Sequence, residues 1–298
     1  MVAQIIGNYL VERGIMTRGQ MLVLHKERKK LRAKLGLVAI AEGFMSPFEV
    51  KEIYEEIESH HDEPADCAFA DIAKERSYLN DGQVRMLAHK QNDSFLCFVQ
   101  ALEKQGIIDF ERLNEILHEF PLTENEFQLD DLKSNDINRI VPLFIPPEAN
   151  DYIEAACCAV RFLEQRVDSN IYPLKAYLAS EFIASNGVFQ VAKGEREYAY
   201  GLAVNNMEMA IIATCYMRER YDGLDEEILD VISEIVSNIS SSYANELSQD
   251  GIVVDLMPPQ PYLELQKIKS EKMLVIELSV KYEICYLLVC LSASIEVH

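Results

Sequence analysis

The residues best suited to chemistry lie along one side of a predicted helix at 225–249, DEEILDVISEIVSNISSSYANELSQ. Its apolar residues recur at helical spacing and fall on one face, at about 100° per residue. Asp230, Glu234, Ser237 and Ser241 form a line on the opposite face, and Asn238 lies about 100° around the helix from Ser237. We therefore expect the apolar face to anchor the helix and the other face to offer two carboxylates and small polar groups to a partner.

This pattern resembles the active helix of the CheC/CheX/FliY family of response-regulator phosphatases. In that family an Asp or Ser is followed by three residues, a Glu, two further residues and an Asn. Asp230 and Glu234 match, whereas the Asn position holds Ser237 and an Asn follows one place later as Asn238. The resemblance implies a site formed by these four residues, with a CheY-like receiver domain as the partner.

The resemblance also implies a reaction, the hydrolysis of the receiver's phospho-aspartate by in-line attack of water. Catalysis of phosphoryl transfer depends mainly on positioning and charge stabilisation. In the family the Asn amide orients the water, and the Glu contacts the regulator's conserved lysine. A serine hydroxyl is shorter than an amide and has a single donor. With Ser237 at that position, we expect a degenerate site whose phosphatase activity is weak or lost.

Two alternatives remain open. If the helix is rotated or locally bulged, Asn238 could supply the amide, and the protein would be an active phosphatase that uses Glu234 and Asn238. In the other alternative the protein is a non-catalytic dimeric scaffold whose helical repeats bind a partner or cyclic di-GMP. The sequence feature that separates these hypotheses is Ser237, and the structural observation is whether the Asn238 side chain points to solvent beside Glu234, as an active site requires.

The order of predicted elements extends this resemblance over the C-terminal half, roughly residues 147–298. The predicted helices are 148–168, 207–220 and 225–249, and the predicted strands are 188–193, 198–204, 252–259, 272–280 and 282–294. The resemblance implies an antiparallel sheet covered by the first and last of these helices. It also implies a homodimer joined through the C-terminal sheet, as in the single-helix, CheX-like members.

The N-terminal half repeats one short phrase four times: a small residue, two apolar residues and a residue of the helix N-cap type. The small residue suits the left-handed conformation that ends a helix, and the polar residue caps the next one. The phrases span 14–17, 43–46, 77–80 and 106–109, and their predicted N-caps are Thr17, Ser46, Asn80 and Asp109. We therefore predict an all-helical domain of four helix-turn-helix repeats over residues 1–120.

These paired repeats resemble the N-terminal domain of type II secretion and pilus ATPases, including the version that binds cyclic di-GMP. There each repeat opens with Arg-Leu-Gly and closes with Gln. Residues 34–36 (Lys-Leu-Gly) approach the opening motif, but the closing position holds Arg28, Ile57 and Gln91 in the first three repeats. Because most ligand-reading residues differ, we interpret the repeats chiefly as elements that pack together or dock a partner.

A chain of 298 residues is longer than one typical domain and permits two. From the helical repeats and the resemblance of the C-terminal half we expect an α+β protein of two domains, 1–120 and 148–298, joined by an extended, partly ordered, Pro-rich linker at 121–147. The formal net charge of -21 argues against nucleic acid and anionic membranes as partners. The odd count of seven cysteines indicates reduced thiols. With neither a signal peptide nor a membrane span in the sequence, we expect a cytoplasmic protein.

Other candidate sites have simpler explanations. The adjacent His60 and His61 cannot both face one ion from regular structure, so we interpret them as part of a polar loop and predict no metal. Cys157 and Cys158 belong to the apolar face of a helix, not to a nucleophilic site. We predict no cofactor. The basic run at 26–34 is typical of a solvated helix face, although it could dock an acidic partner or anionic ligand.

Overall fold

The computed structural model describes residues 2–60, 65–119, 131–132, 134, 136–204, 208–221, 226–263, 265–281 and 283–297. Contacts divide the chain into two compact units, Val2–Phe120 and Pro121–His298. The described residues of the first unit form helices, and those of the second combine helices with an antiparallel sheet. The predicted α+β fold class is therefore confirmed. None of the described helices is long and apolar enough to cross a membrane.

The described residues of the first unit form four helical hairpins, with a predicted phrase at the turn of each. The helices are α1 (Val2–Glu12), α2 (Arg18–Arg28), α3 (Leu35–Ala41), α4 (Pro47–His60), α5 (Ala65–Glu75), α6 (Asp81–Lys90), α7 (Ser94–Lys104) and α8 (Phe110–Leu117). The prediction of four helix-turn-helix repeats therefore agrees with the described helices.

The small residue of each phrase ends a helix in the left-handed conformation. Gly14, Gly43 and Gly106 have φ values of 70°, 71° and 64°, and Ser77 has a φ of 61°. The N–H of the following residue donates to a carbonyl five residues earlier, in the pairs Ile15 to Leu10, Phe44 to Ala39, Tyr78 to Ala73 and Ile107 to Leu102. This bond closes the helix end, so the chain can reverse within a few residues.

The last residue of each phrase caps the next helix. The side chains of Thr17, Ser46, Asn80 and Asp109 accept hydrogen bonds from backbone N–H groups three residues later, at Gln20, Glu49, Gln83 and Arg112. In the first three, the side chain of the third residue also accepts from the backbone N–H of the cap. All four predicted N-caps are therefore confirmed, three of them as capping boxes.

The residues that resemble a nucleotide-binding motif make contacts within the first unit. A Cβ added to Gly36 would lie 2.5 Å from Val50 Cγ1, so glycine permits the close approach of α3 to α4. The Lys34 ammonium lies 5.0 Å from the centre of the Tyr54 ring. The buried Gln91 amide donates to the Ala33 carbonyl at 2.7 Å. The first two contacts lie within the second hairpin, and the Gln91 bond connects that hairpin to the third.

The second unit opens with short helical turns where we expected an extended linker. They are α9 (Ile137–Ile140) and two 3₁₀ turns, Val141–Leu143 and Pro147–Tyr152, which lead into α10 (Ile153–Arg166). Ile140, Val141 and Ile145 are buried, so apolar packing folds this segment despite its prolines. Residues 121–130 of the expected linker lie outside the described residues.

The sheet of the second unit is antiparallel throughout its described pairs. Its strands are β1 (Tyr172–Ala184), β2 (Asn186–Gly194), β3 (Tyr198–Val204), β4 (Val254–Leu256), β5 (Gln260–Tyr262), β6 (Gln266–Val280), β7 (Glu283–Cys290) and β8 (Ile295–Val297). The order across the sheet is β1-β6-β7-β3-β2-β4, with β5 also paired to β2 and β8 to β6. The long edge strand β1 was not predicted.

Several predicted boundaries differ from the structure. The hairpin of β2 and β3 occupies its predicted place. The strand expected at 252–259 is instead two short strands, β4 and β5, because Pro258 and Pro259 between them have no N–H to donate to a ladder. The final strand, expected at 282–294, ends at Cys290. Its first residue, Tyr282, lies outside the described residues, as do Met207 and Asp225 at the expected helix starts.

Two helices that follow β3 complete the layer on one face of the sheet, α11 (Glu208–Met217) and α12 (Glu226–Gln249). Tyr198 donates to the Ser240 carbonyl in α12, and Tyr200 donates to the Ala155 carbonyl in α10, both at 2.8 Å. The Tyr243 ring meets both strand tyrosines edge-on. The predicted cover of α10 and α12 is therefore present, although the first helix begins with a 3₁₀ turn around Ala149.

The opposite face of the sheet is apolar as well. Phe189, Met273, Val275 and Leu288 are buried there, in one cluster with Ile268 near the start of β6. The register between β1 and β6 shifts after Ala179: Ala179 pairs with Met273, whereas Glu181 pairs with Lys269. Such a bulge bends the strands, and the residues beyond it join the second cluster. The sheet therefore has an apolar core on each face, where we had expected cover on one.

The left-handed Ser77 generates a stability prediction. A non-glycine residue in this conformation costs about 1 kcal/mol relative to glycine. We expect Ser77→Gly to raise the free energy of unfolding by about 0.5–1 kcal/mol in urea denaturation. Gly43→Ser should lower it by a similar amount, since a Cβ there meets nothing within 4 Å and only the backbone conformation is tested. A destabilised Ser77→Gly variant would contradict this account of the turn.

The buried His25 generates a pH prediction. Burial, with the charges of Arg28 and Lys29, lowers the pKa of His25 from 6.5 to about 4. The unfolded chain therefore binds more protons between these values, and stability falls as the pH falls from about 6.5 to about 4. The lost free energy of unfolding should total about 3 kcal/mol.

Urea denaturation between pH 7 and pH 4 measures this loss. His25→Leu should flatten the pH dependence of stability relative to the wild type, because no histidine remains to be protonated there. The exposed His89 provides the matched control, and His89→Leu should leave the slope unchanged. Equal slopes in wild type and His25→Leu would refute the assignment.

Candidate functional site

The helix α12 is divided lengthwise into a buried face and an accessible face. Ile228, Ile232 and Ile235 are fully buried against the unit's core. Asp230 and Glu234 are exposed on the other side, one turn apart. The apolar spacing of the sequence sets this orientation, because burial of one stripe turns the polar line outward.

A tyrosine from the neighbouring helix organises two of the predicted site residues. The Tyr216 hydroxyl, on α11, donates to Glu234 Oε1 at 2.8 Å and accepts from Asn238 Nδ2 at 3.1 Å. Burial and the hydrogen bond to Glu234 raise the pKa of Tyr216, so the phenol stays protonated and remains a donor. The carboxylate and the amide are thereby joined through one oxygen atom.

Asn238 does not extend freely into solvent, as an active site would require. It is half-buried, and its amide nitrogen is directed to Tyr216. The reason is its place on the flank of α12 that faces α11, about 40° from Glu234 around the helix axis. Its backbone carbonyl also accepts a hydrogen bond from the Ser242 hydroxyl at 2.7 Å. The structure therefore brings Asn238 beside Glu234, with the amide turned towards the neighbouring helix.

Ser237 and Ser241 lie on the accessible side of α12 and are half-buried. Within the part of the chain that the structure describes, neither the Ser237 hydroxyl nor the Asp230 carboxylate has a hydrogen bond or an ion pair. Asp230 can therefore accept from a partner, while Ser237 can donate a single hydrogen bond. The surface combines two carboxylates with short side chains that allow a close approach.

The sequence analysis did not predict that Tyr216 would contact the site residues. The predicted motif lies on one helix, whereas Tyr216 comes from another, 18 residues before Glu234. The available signal was its phenol near the end of the otherwise apolar helix EMAIIATCYM, ahead of an acidic helix. Sequence spacing alone cannot reveal which side of α12 such a residue contacts.

The two adjacent cysteines of the second unit are unreactive. Cys157 and Cys158 are buried in α10, and burial raises the pKa of each thiol to about 12. Both therefore remain protonated at neutral pH and are unsuited to nucleophilic chemistry. Among the described residues, no group of three or more histidine, cysteine or acidic side chains converges on a point that could hold a metal ion. His61 lies outside those residues.

Comparison with known proteins gives matches only among solved structures. No protein-family model and no curated protein matches the chain. A CheC-like superfamily protein from Shewanella sp. PV-4 aligns with 47% of this chain and 97% of its own, at 17% identity and a TM-score of 0.41. The chemotaxis protein CheX from Vibrio vulnificus aligns with 47% and 96%, at 15% identity and a TM-score of 0.39.

A third structure is that of the CheX–CheY–BeF₃–Mg²⁺ complex from Borrelia burgdorferi. One chain of that complex aligns with 48% of this chain and 98% of its own, at 19% identity and a TM-score of 0.39. These three matches are to structures of CheC- or CheX-like proteins, and each alignment spans about half of this chain.

Proposed function

We propose that this chain is a CheX-like signalling protein of a bacterial two-component or chemotaxis pathway, acting in the cytoplasm. It binds a CheY-like receiver domain through α12, and its aspartyl-phosphate phosphatase activity is weak or lost. The observation that carries the proposal is the Tyr216 hydroxyl between Glu234 and Asn238. It holds the carboxylate in place and engages the amide.

Receiver binding is supported by the accessible line of α12. Asp230 and Glu234 are exposed and can accept hydrogen bonds from a cationic side chain, such as the conserved lysine of a receiver. Tyr216 restricts the rotamers of Glu234 before a partner arrives, which lowers the entropic cost of binding. The short side chains of Ser237 and Ser241 leave room for the receiver surface to approach the helix.

Weak catalysis is supported by the geometry of the amide. Water must be held in line with the phosphorus–oxygen bond that breaks, so a small displacement of the orienting group is costly. Asn238 is half-buried and donates to Tyr216, away from the accessible line. Ser237 occupies the line but carries one short hydroxyl in place of an amide.

An active phosphatase is the second candidate, and one observation favours it. Glu234 and Asn238 already share the Tyr216 hydroxyl, so the carboxylate and the amide are neighbours on the same side of α12. A change of side-chain rotamer at Asn238 would free its amide for a water molecule. Under this alternative Asn238 orients the water and Glu234 engages the receiver.

Substitution at position 237 distinguishes the two candidates. Ser237→Asn restores the spacing of the family motif on the accessible line, beside Asp230 and Glu234. We expect the wild type to accelerate phosphate release from phosphorylated receiver domains little, and Ser237→Asn to increase that rate about 100-fold. The gain should disappear in the Ser237→Asn, Glu234→Ala double variant, because the carboxylate is needed to engage the receiver.

The measurement is a phosphate-release assay with a panel of phosphorylated receivers, together with binding of the same receivers. Asn238→Ala is the matched control, since it removes the other amide. An active wild type that Asn238→Ala inactivates and Ser237→Ala leaves unchanged would establish the second candidate. If neither wild type nor Ser237→Asn binds or dephosphorylates any receiver, both candidates fail.

Dimerisation through the sheet is proposed as well, both for the receiver-binding protein and for the alternative of a non-catalytic scaffold. Strand β1 lies at the end of the strand order, paired with β6 on one side only. Its central residues Ala176, Tyr177, Leu178 and Ala179 are apolar and half-buried. An apolar edge strand of this length is a template for pairing with a second copy.

A lysine on this edge should break the dimer, since charged side chains oppose edge-to-edge pairing. We expect Leu178→Lys to weaken self-association at least tenfold in sedimentation equilibrium. Ile183→Lys introduces the same charge at an exposed position nearer the end of β1 and should leave self-association unchanged. A monomeric wild type, or equal association of both variants, would exclude this interface.

A further inference from the structure

A concentrated patch of positive charge lies in the first unit of an acidic protein. Six of the nine residues at 26–34 are basic and one is acidic, although the whole chain has a formal net charge of -21. Lys26, Lys29, Lys30 and Arg32 are exposed. These four residues, at the end of α2 and in the segment that follows it, are called the basic surface.

The cations of the basic surface are clustered and are not neutralised by ion pairs among the described residues. Six other cations of this unit form ion pairs: Arg13 with Glu119, Lys51 with Glu55, Lys74 with Asp71, Arg76 with Glu56, Lys90 with Glu42, and Arg112 with Glu115. Within the described ranges, none of the four residues of the basic surface forms an ion pair. Arg32 makes one long hydrogen bond, 3.4 Å to the Ala88 carbonyl. The clustered charges therefore remain available to a partner.

A cavity of about 340 Å³ lies beside this surface. The side chains of Leu31 and Cys97 give it an apolar portion, and Lys29 belongs to both the cavity lining and the basic surface. Arg28 lines it too, with its guanidinium donating to the Ser94 hydroxyl at 3.0 Å. A cavity of this size accepts an apolar side chain whose neighbours along a peptide reach the exposed lysines.

We infer that the basic surface docks an acidic peptide segment of another protein, with one apolar side chain of that segment in the cavity. Charge complementarity supports this occupant, because several carboxylates along a peptide match four unneutralised cations. An extended nucleic acid fits less well, since its phosphates would also meet the negative potential of the remaining chain. The inference is independent of the proposed receiver binding in the second unit.

A compact phosphate ligand is also disfavoured. The nearby helix α7 begins at Ser94, and a helix start can bind an anion through its free N–H groups. Here the Asp93 carboxylate already accepts from the Phe95 and Leu96 N–H groups, each at 2.9 Å. A phosphate would therefore meet a carboxylate where it needs donors.

Fluorescence anisotropy with the full-length protein tests this inference. The probe is a fluorescein-labelled peptide, Glu-Glu-Leu-Glu-Phe-Glu-Glu, and we expect its affinity to fall at least tenfold between 50 and 500 mM NaCl. Lys29→Glu, Lys30→Glu should weaken binding at least tenfold at the lower salt concentration. The matched control, Lys51→Glu, Lys104→Glu, makes the same change of net charge at exposed positions elsewhere and should bind within twofold of the wild type.

A further variant and a further peptide complete the test. Arg32→Glu repeats the test with a different residue, and circular dichroism establishes that every variant is folded. A peptide with alanine in place of leucine and phenylalanine should bind more weakly, because the cavity then stays unfilled. The inference is overturned by the absence of binding, by equal weakening in the control, or by tighter binding of a single-stranded oligonucleotide of equal charge.

Discussion

The position of α12 depends on three buried tyrosines between the helix layer and the sheet. Tyr198 and Tyr200 project from β3, and their hydroxyls bond to carbonyls in α12 and α10. Tyr243 returns from α12 to pack edge-on against both rings. The two hydroxyl bonds and the edge-on packing of the Tyr243 ring together fix the rotation of α12 as well as its distance from the sheet. The outward line of polar residues follows from that rotation.

The neighbouring helix α11 determines which polar residues of α12 are held by hydrogen bonds within the protein. Residues 234 and 238 both lie within reach of the Tyr216 hydroxyl, whereas residue 237 lies on the flank away from it. The same helix therefore presents two groups that are held by the protein and two, Asp230 and Ser237, that are not. Orienting a water molecule requires an amide on the accessible line of α12, where this chain has Ser237. Contacting a partner's cation requires only a carboxylate held in place, and Tyr216 holds Glu234.

The sequence was most informative where a structural feature depends on local chemistry. A few adjacent residues determine the four helix ends, at Gly14, Gly43, Ser77 and Gly106, and the four caps that follow them. The division of α12 into two faces was equally accessible, because it follows from helical spacing. For these elements the physical cause lies within one or two turns of chain.

Features that depend on distant contacts were not accessible in this way. Tyr216 meets Glu234 only because α11 packs on one particular side of α12. The turns around Ile140 and Val141 form because these residues are buried, although the prolines of this segment had led us to expect an extended chain. Strand β1 was missed because it lies between a helix and a hairpin, and its half-buried edge lacks a clean alternation of apolar and polar residues. The bend of β6 depends on a register between two strands that are far apart in sequence.

The double-sided burial of the sheet also limits how the second unit can meet other molecules. One face lies beneath the helices, and the other is packed around Phe189 and Leu288. Even the backbone is closely covered, since a Cβ on Gly201 would lie 2.3 Å from the Phe189 ring. Flat stacking of another protein on the sheet is thereby excluded across these strands. In the described part of the unit, the outer surface of α12 and the open margin of β1 are separate areas, so the proposed receiver binding and the proposed dimerisation do not compete for surface.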